Sequence, residues 1–362
     1  MKQPKNSKII HVVGTGTIGE PLIVLLAGNK RKLGIDEVTF SKFSPRLLDR
    51  PNIINLISRG AKLAVEKSKE EEFAKMGVKP SYEFCEAIER ASVVIDCSSS
   101  GNENKEKYYK KYELDILGFL AQGSETNFGK PYAFSITDAS LKRDDKYLWI
   151  VSCNTHNIAA IVWTIALNFG KENPSNLLLG DFTILRRATD ISQSSKGFIP
   201  SPEVSKHDAD ICGTHQAEDA KTLFRQSLGM ELNLFSSALK ANSQYMHVMR
   251  FCLHLKEKVS KDEVIGRIES NPLIAVTRKL STANVFSFGR DQGHCGRILN
   301  QTVIPIETVH VVDQRVVGAC FTPQDGNSLL SSTAAALFFL HPNDYQKRMK
   351  RLLIPPFVFR EV

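Results

Sequence analysis

The sequence predicts an α/β protein of two domains, in which a doubly wound parallel sheet is followed by an α+β domain with a mixed or antiparallel sheet. A glycine-rich turn joins an apolar strand to an apolar helix close to the N-terminus. Strands and helices then alternate over the first 150 residues, which is typical of a parallel sheet. Beyond Val151 the strands are longer and alternate in polarity, as in a sheet with one covered face. The 362 residues suffice to bury two cores.

The first strand and turn indicate a dinucleotide site. Lys8–Val13 is a short apolar strand, and the turn GTGTIG that follows opens an apolar helix. Its six residues are Gly14, Thr15, Gly16, Thr17, Ile18 and Gly19. The first glycine permits the tight turn, the second lets the backbone approach a pyrophosphate, and the third allows close packing of helix on strand. The N–H groups at the helix start then face the phosphates.

The second strand, Glu37–Phe40, is expected to end beside the adenosine ribose of such a cofactor. An NAD enzyme usually has an acid there, whereas this chain has Ser41 and Lys42. A hydroxyl and an ammonium suit a 2′-phosphate, so we expect NADP to be accepted, alongside NAD. The alternative is a solvated lysine in a loop.

The remainder of the first domain continues the alternation. We expect a helical stretch over Ile53–Met76, a buried strand entering a small-residue loop within Ala91–Gly101, a helix over Glu103–Tyr112, a strand over Ile116–Ala121 and a loop at Gln122–Glu125. Small residues in such loops let a cofactor lie close to the backbone. Ser98 and Gly123 are the predicted cofactor contacts.

A cysteine follows the last of these strands. Within Trp149–Leu167 an apolar strand leads Cys153 into the first turn of an apolar helix. The helix dipole and unpaired backbone N–H groups favour a thiolate there, so Cys153 is a candidate nucleophile. A buried structural thiol is the alternative. The seven cysteines show neither zinc-site nor disulfide spacing, and we expect reduced thiols and no metal.

Basic residues mark the second domain. Arg186 and Arg187 end a strand and, being neighbours, point to opposite faces, so one of them is expected to face a cleft and bind phosphate. His215 begins the helix-like segment HQAEDAKTLF. His247 shares a strand face with Met249. Taken singly, each histidine is more often structural than catalytic.

Charge and hydropathy exclude other classes. The net charge of +8 is interrupted by acids along the sequence, so it favours phosphorylated small molecules or solubility over a dedicated nucleic-acid surface. No apolar run reaches the length of about 18 residues that a membrane span needs, and the charged start MKQPKNSKII does not fit a signal peptide. We therefore expect a cytoplasmic protein without a membrane partner.

With these residues in view, the chain resembles the archaeal (type II) glyceraldehyde-3-phosphate dehydrogenases over nearly its whole length. The matching motifs are GTGTIG, VTFSK, NENKEKYYKKY with QGSE, SCNT, RRATD with SKG, HQAEDAKT and YMH. The resemblance implies an N-terminal Rossmann domain, a catalytic domain, and a C-terminal helix, Asn327–Leu340, that returns to the first domain. The expected division is thus 1–151 with 325–362, and 152–324.

The resemblance also implies roles. The nucleophile falls on Cys153 and the catalytic histidine on His247. Substrate and phosphate contacts fall on Asn154, Thr155, Arg186, Arg187 and His215, and a further cofactor contact on Gln324. The implied reaction is phosphorylating oxidation of glyceraldehyde 3-phosphate through a cysteine thioester, with NAD(P)+ and inorganic phosphate, in a homotetramer.

The chain departs from the family pattern at several points. The family commonly continues its cysteine motif as CNTTGLCR, whereas this chain has His156, Asn157 and Ala160 at the fourth, fifth and eighth positions. The loss of the usual arginine at Ala160 and the bulkier His156 are expected to alter the pocket wall or the acyl substrate. The family's second histidine is Met249 here, and its HQESD segment is Pro323–Asn327.

The sequence leaves two alternative functions open. One is another phosphorylating or CoA-dependent semialdehyde dehydrogenase, which would share the cysteine, the cofactor fold and the thioester. The other is an inactive nucleotide-binding or RNA-associated protein that kept the fold, to which the positive charge gives slight support.

Overall fold

A computed structural model describes residues 7–189, 199, 201–323 and 326–362. Gln324 and the SKG motif at 195–197 lie outside the described residues. The strands are β1 (Ile9–Val13), β2 (Glu37–Ser41), β3 (Lys62–Val65), β4 (Tyr82–Glu83), β5 (Val93–Asp96), β6 (Gly118–Gln122), β7 (Lys130–Tyr132), β8 (Tyr147–Ile150), β9 (Leu177–Arg186), β10 (Glu203–Val204), β11 (Leu234–Lys240), β12 (His247–Leu255), β13 (Ile274–Thr277), β14 (Thr302–Pro305), β15 (His310–Val312) and β16 (Arg315–Thr322). The α-helices are α1 (Gly19–Gly28), α2 (Lys30–Leu33), α3 (Arg50–Ser58), α4 (Glu70–Lys75), α5 (Phe84–Arg90), α6 (Gly101–Lys107), α7 (Cys153–Ile161), α8 (His215–Leu228), α9 (Lys261–Ser270), α10 (Thr282–Gln292), α11 (Leu329–Leu340) and α12 (Tyr345–Met349).

The first sheet is the predicted doubly wound Rossmann type. Its strands follow the order β4-β3-β2-β1-β5-β6-β8-β7, and the pairs from β4 through β8 are parallel. The order reverses at β1, which lies between β2 and β5. In such sheets the ligand crevice lies outside the carboxyl ends of the strands at this reversal. Strand β1 is buried along its whole length, as the apolar run predicts.

One expected element is wrong. The continuous helix predicted over Ile53–Met76 is interrupted, because α3 ends at Ser58 and the strand β3 precedes α4. Gly60 lies in the left-handed region with φ +88°, which turns the chain back toward the sheet. Leu63, Ala64 and Val65 are then fully buried on the sheet, so tertiary burial outweighs the helical pattern of the flanking residues.

The second sheet is mixed, as predicted. Its order is β10-β11-β9-β12-β16-β14-β13, with β15 paired to β16. The pairs β9–β11 and β13–β14 are parallel, whereas β12 runs antiparallel to both β9 and β16. The longer strands predicted beyond Val151 occur as β9, β11, β12 and β16, and α7 begins at Cys153 as predicted.

Contacts divide the chain into two compact units. The first unit contains the residues through Lys130, with Leu141–Ile150 and Ser331–Arg351; the second contains Pro131–Ser140, Val151–Leu330 and Leu352–Val362. The sequence division placed all of 325–362 with the first domain. The last residues instead pair with β13, since the N–H of Val276 donates to the carbonyl of Arg360 and the N–H of Val362 donates to the carbonyl of Val276.

Within the part of the chain that the structure describes, no helix is both long enough and apolar enough to cross a membrane.

Candidate functional site

The predicted cofactor residues of the first unit lie at one edge of its sheet. Register pairs Val13 with Ser41 and with Asp96, so β1, β2 and β5 end together. Strand β6 ends at the same level, because Asp96 pairs with Ala121. Parallel strands thus bring Gly14, Ser41, Ser98 and Gly123 to the carboxyl edge, where α1 begins. This arrangement is the one that the dinucleotide motif requires.

The geometry of the turn accounts for its three glycines. Gly14 has φ +89°, a conformation that L side chains rarely adopt. A Cβ on Gly19 would lie 2.1 Å from the carbonyl oxygen of Gly14, so only glycine fits there. A Cβ on Gly16 would meet nothing within 4 Å, and Gly16 is exposed. A pyrophosphate could therefore approach the Gly16 backbone closely.

The other turn residues also suit an anion. Ile18 precedes α1 without a side-chain cap. The N–H of Glu20 donates to the Gly16 carbonyl at 3.1 Å and Pro21 has no N–H, so the N–H of Gly19 is the first-turn donor that the described residues leave for a ligand. The hydroxyl oxygen of Thr15 is buried and has no hydrogen-bond partner among the described residues. Thr17 is half-buried in the same turn.

Ser41 and Lys42 differ in their availability. Ser41 is the last residue of β2 and is buried, and its hydroxyl oxygen has no hydrogen-bond partner among the described residues. The Lys42 ammonium is not a solvated loop cation, because its Nζ lies 2.8 Å from a carboxylate oxygen of Asp49. Arg46 contacts the same carboxylate, and these cations hold the pKa of Asp49 below its usual value against the opposing effect of partial burial. A 2′-phosphate would thus compete with Asp49 for Lys42.

An acid network that the sequence reading missed supports the loop after β5. Asp96 is fully buried and accepts hydrogen bonds from the backbone and hydroxyl of Ser98, from Asn104 and from Tyr109. Burial, with the neighbouring carboxylate, raises the pKa of Tyr109 well above its ordinary value. Ser98 is therefore fixed by Asp96. The position of Asp96 at a strand end is the signal that could have indicated this role.

Gly123 and the QGSE loop close the other side of this edge. Gly123 has φ +70°, and its carbonyl accepts from the indole N–H of Trp149 at 2.7 Å. Glu125 is buried and accepts from the backbone N–H of Asn102 at 2.7 Å, in the first turn of α6. The acid of this motif thus orders the adjacent helix.

In the second unit, Cys153 is the first residue of α7. Ser152 caps the helix, with its Oγ accepting from the N–H of Thr155 at 3.4 Å. The Cys153 side chain is half-buried, whereas Asn154 and Thr155 are buried. The side-chain amide of Asn327 donates to the Cys153 carbonyl at 2.8 Å. The structure therefore gives the predicted placement of the thiol at a helix N-terminus.

His247 lies at the start of β12 and is buried. Its Nδ1 accepts the backbone N–H of Arg187 at 2.9 Å, so the neutral ring carries its hydrogen on Nε2. Burial, followed by the charges of Arg187 and Arg186, lowers the pKa of His247 to about 3. The imidazole is thus held neutral, with Nε2–H as a hydrogen-bond donor.

The two arginines differ in exposure. Arg187 is 5 % exposed and its backbone holds His247, whereas Arg186 is half-buried at the end of β9. Loss of hydration, then the charge of Arg186, lowers the pKa of His215, which reaches solvent at the first position of α8. Arg186 thus acts electrostatically on both His215 and His247.

The departures from the family motif lie inside the second unit. His156, Asn157 and Ala160 have no exposed surface, so they do not form a solvent-exposed wall. The Nδ1 of His156 lies 3.0 Å from the Ser152 carbonyl oxygen, and burial lowers the pKa of His156 to about 4. Met249 is likewise a core side chain. The described residues contain no group of His, Cys, Asp and Glu side chains able to hold a metal ion.

Comparison with known proteins supports one family. The chain is 25% identical over 292 residues to a glyceraldehyde-3-phosphate dehydrogenase of Pyrobaculum neutrophilum, covering 78% of each chain. It is 28% identical over 269 residues to the enzyme of that name from Picrophilus torridus, covering 72% of this chain and 73% of the relative. It is 26% identical over 310 residues to that of Sulfolobus acidocaldarius, covering 83% of each. No protein-family model matches the chain.

Proposed function

Because this chain is related to the archaeal glyceraldehyde-3-phosphate dehydrogenases, as its motifs predict, we propose that it is a phosphorylating enzyme of that kind. The reaction oxidises glyceraldehyde 3-phosphate with NAD(P)+ and inorganic phosphate to 1,3-bisphosphoglycerate, and it is reversible. The observation that carries the proposal is the placement of Cys153 at the N-terminus of α7, in the same compact unit as His247, Arg186 and His215.

Cys153 is the nucleophile of the proposed mechanism. Its thiolate attacks the aldehyde carbon, a C–S bond forms, and the carbonyl electrons move to oxygen to give a thiohemiacetal. The N–H groups of the first turn of α7 and the Nε2–H of His247 are the donors for that oxygen. When bound, the nicotinamide would accept the hydride that leaves this carbon; the C–H bond breaks and the oxygen electrons re-form the carbonyl, which leaves a thioester on Cys153. Phosphate oxygen then attacks the thioester carbon, and the C–S bond breaks to release the acyl phosphate and restore the thiolate.

The tautomer of His247 favours one of its two possible roles. A ring whose Nδ1 already accepts a hydrogen bond can donate from Nε2 without rearrangement, whereas protonation would place two hydrogens against each other at Nδ1 and Arg187 N–H. His247 is therefore a donor to the developing oxyanion rather than a proton acceptor.

The exposed basic pair is the proposed phosphate site. Arg186 and His215 reach solvent and interact electrostatically, whereas Thr155 is fully buried with its hydroxyl oxygen 2.8 Å from that of Ser152. We assign anion binding to Arg186, with His215 at the positive end of α8. Arg187 holds His247 instead.

The carboxyl edge of the first sheet fits a dinucleotide. The open space at Gly16 and the uncapped start of α1 suit the pyrophosphate. Both NAD and NADP are proposed cofactors, and the pairing of Lys42 with Asp49 reduces the preference for the 2′-phosphate.

A substrate panel tests the proposal. The wild-type protein is assayed by absorbance of the reduced cofactor with glyceraldehyde 3-phosphate and with semialdehydes, each with phosphate and with CoA. Activity is expected with glyceraldehyde 3-phosphate and phosphate; activity confined to a semialdehyde or to CoA would show the related enzyme instead. Cys153→Ser should abolish turnover and retain cofactor binding, while Cys295→Ser, at an exposed cysteine, is the matched control. Sedimentation velocity tests the expected homotetramer.

A further inference from the structure

A row of buried polar side chains joins the nucleophile helix to the second sheet. The side-chain amide of Asn157, in α7, donates to the hydroxyl oxygen of Thr322 at 2.6 Å. Its Oδ1 accepts from the thiol of Cys320 at 3.5 Å. The Thr322 hydroxyl in turn donates to Oδ1 of Asn154 at 3.4 Å. All four residues are buried, so these bonds are screened from water.

This row joins the elements that lie next to the two predicted catalytic residues. Thr322 is the residue of β16 that pairs with His247 of β12. Asn157 is four residues beyond Cys153, so the two side chains share a face of α7. A bond from Asn157 to Thr322 therefore fixes the face that carries the thiol against the strand beside the imidazole.

We propose that Asn157 is a positioning residue that sets Cys153 relative to His247; the catalytic meaning of this rests on the proposed function. In the cysteine motif of the resembled family the corresponding position is glycine, which has no side chain to make this bond. The hydrogen bond from Asn157 to Thr322 is thus a feature of this chain that the family motif does not provide. A buried amide is tolerated in the helix because both of its polar atoms find partners.

Two substitutions break the bond from opposite ends. Asn157→Ala removes the amide and favours the helix, and Thr322→Val removes the hydroxyl at nearly constant shape. Each is expected to lower kcat about tenfold with KM little changed, because a small misplacement of reacting groups is costly in rate. Each should also slow the alkylation of Cys153 by iodoacetamide about tenfold, because a thiolate displaced from the His247 Nε2–H donor is less stabilised. The double variant should lose no more than either single variant.

The chain offers a matched control. The Asn271 amide donates to the Thr164 hydroxyl at 2.7 Å, also buried in the second unit, and joins the residue after α9 to the π-helical turn Val162–Ala166. Asn271→Ala should leave both rates close to wild type. Labelling of the Cys153→Ser variant is subtracted to remove other thiols. Unchanged rates in Asn157→Ala and Thr322→Val, or an equal loss in Asn271→Ala, would overturn the proposal.

The alkylation assay needs no substrate, so it separates this inference from the proposed function. If the wild-type protein fails to oxidise glyceraldehyde 3-phosphate but the variants are alkylated more slowly than wild type, the proposed activity is refuted and the positioning role is retained. If the wild-type protein is fully active but the variants are alkylated at the wild-type rate, the positioning role is refuted and the proposed activity is retained.

A separate observation concerns the first unit. A cleft of about 580 Å³ is lined by Ala27, Gly28, Asn29, Lys30, Arg31, Lys32 and Arg351. No lining residue is acidic. Among the described residues, none of its four cations forms an ion pair, whereas nearby Arg348 is paired with Asp344.

The cleft is distinct from the glycine turn. That turn precedes α1, and the cleft lies at the far end of α1, ten residues or about 15 Å away. Arg351 donates to the Lys32 carbonyl. Lys30 likewise donates to the Gly60 carbonyl at 3.4 Å, and neither carbonyl neutralises the charge of its partner. Collecting like charges in a concave site favours a bound polyanion.

We further propose that this cleft binds a small polyphosphorylated anion, since its cations line a cavity rather than a long track. Inorganic tripolyphosphate is the probe, titrated by calorimetry at low ionic strength. Arg31→Glu with Lys32→Glu should weaken binding at least about tenfold. Lys258→Glu with Lys261→Glu, exposed in the second unit, should not. Absence of binding, equal losses in both double variants, or tighter binding of a short single-stranded RNA through the same residues would overturn it.

Discussion

Acidification tests the state of His247 directly. Its pKa is lowered to about 3 in the folded protein, against about 6.5 for an exposed imidazole. The unfolded chain therefore binds a proton that the folded chain does not, so the stability of the folded state falls as the pH drops below about 6.5 and continues to fall to about 3. Between pH 7 and pH 5 this one group removes about 2 kcal/mol from the free energy of unfolding, at about 1.36 kcal/mol per pH unit.

His247→Gln isolates this contribution. The glutamine amide has an oxygen to accept the Arg187 N–H and an N–H to donate, but it does not titrate. Urea unfolding of wild type and variant at the two pH values should show a loss about 2 kcal/mol smaller in the variant. His11 and His156, also buried with lowered pKa values of about 3 and about 4, contribute to both proteins alike and cancel.

His254→Gln, in the same strand, controls for substitution within β12. Equal pH dependence in wild type and His247→Gln would refute the reasoning, since it would mean that the buried imidazole accepts the proton without cost. A kcat/KM limb near pH 6.5 that disappears in His247→Gln would contradict the donor role as well.

Three further predictions concern the cofactor and phosphate sites. Gly19→Ala should lower the free energy of unfolding, measured with urea, by about 1–3 kcal/mol, because the new Cβ would overlap the Gly14 carbonyl. Gly16→Ala should leave the free energy of unfolding near the wild-type value but weaken cofactor binding in a fluorescence titration. Lys42→Ala should weaken NADP and spare NAD, and Asp49→Asn should strengthen NADP by freeing the ammonium; equal changes for both cofactors would reject this role. Arg186→Met should raise KM for phosphate about tenfold or more with a small effect on aldehyde KM, and an unchanged phosphate KM would move the anion site elsewhere.

The local patterns predicted most of the scaffold. The turn GTGTIG and the segment around Cys153 each specify a strand, a turn and a helix within some ten residues, and both occur as expected. The strand β3 was missed because its four residues lie between helix-forming segments, and only burial against β2 distinguishes it. Contacts between distant residues were not predictable, since no local pattern pairs Asn157 with Thr322.

The same limit applied to charge. The sequence predicts that the Lys42 ammonium is available to a ligand, whereas in the fold it forms an ion pair with Asp49. Likewise, the order Arg186, Arg187 does not reveal which guanidinium reaches solvent, because that depends on the register of β9 with β11 and β12.

The first unit is completed by residues from the far end of the chain, and this has a consequence for synthesis. Gln122 of β6 donates to Ser332 at 2.7 Å, and Phe339 lies so close to Gly118 that a Cβ there would be 2.3 Å from its ring. A ribosome that has added residues only through Leu330 thus holds a nascent first sheet, most of whose covering helix, α11, has yet to be synthesised. Until α11 emerges from the ribosome, the apolar face around β6 lacks this cover, and chaperone binding to the nascent chain should be strongest in that interval.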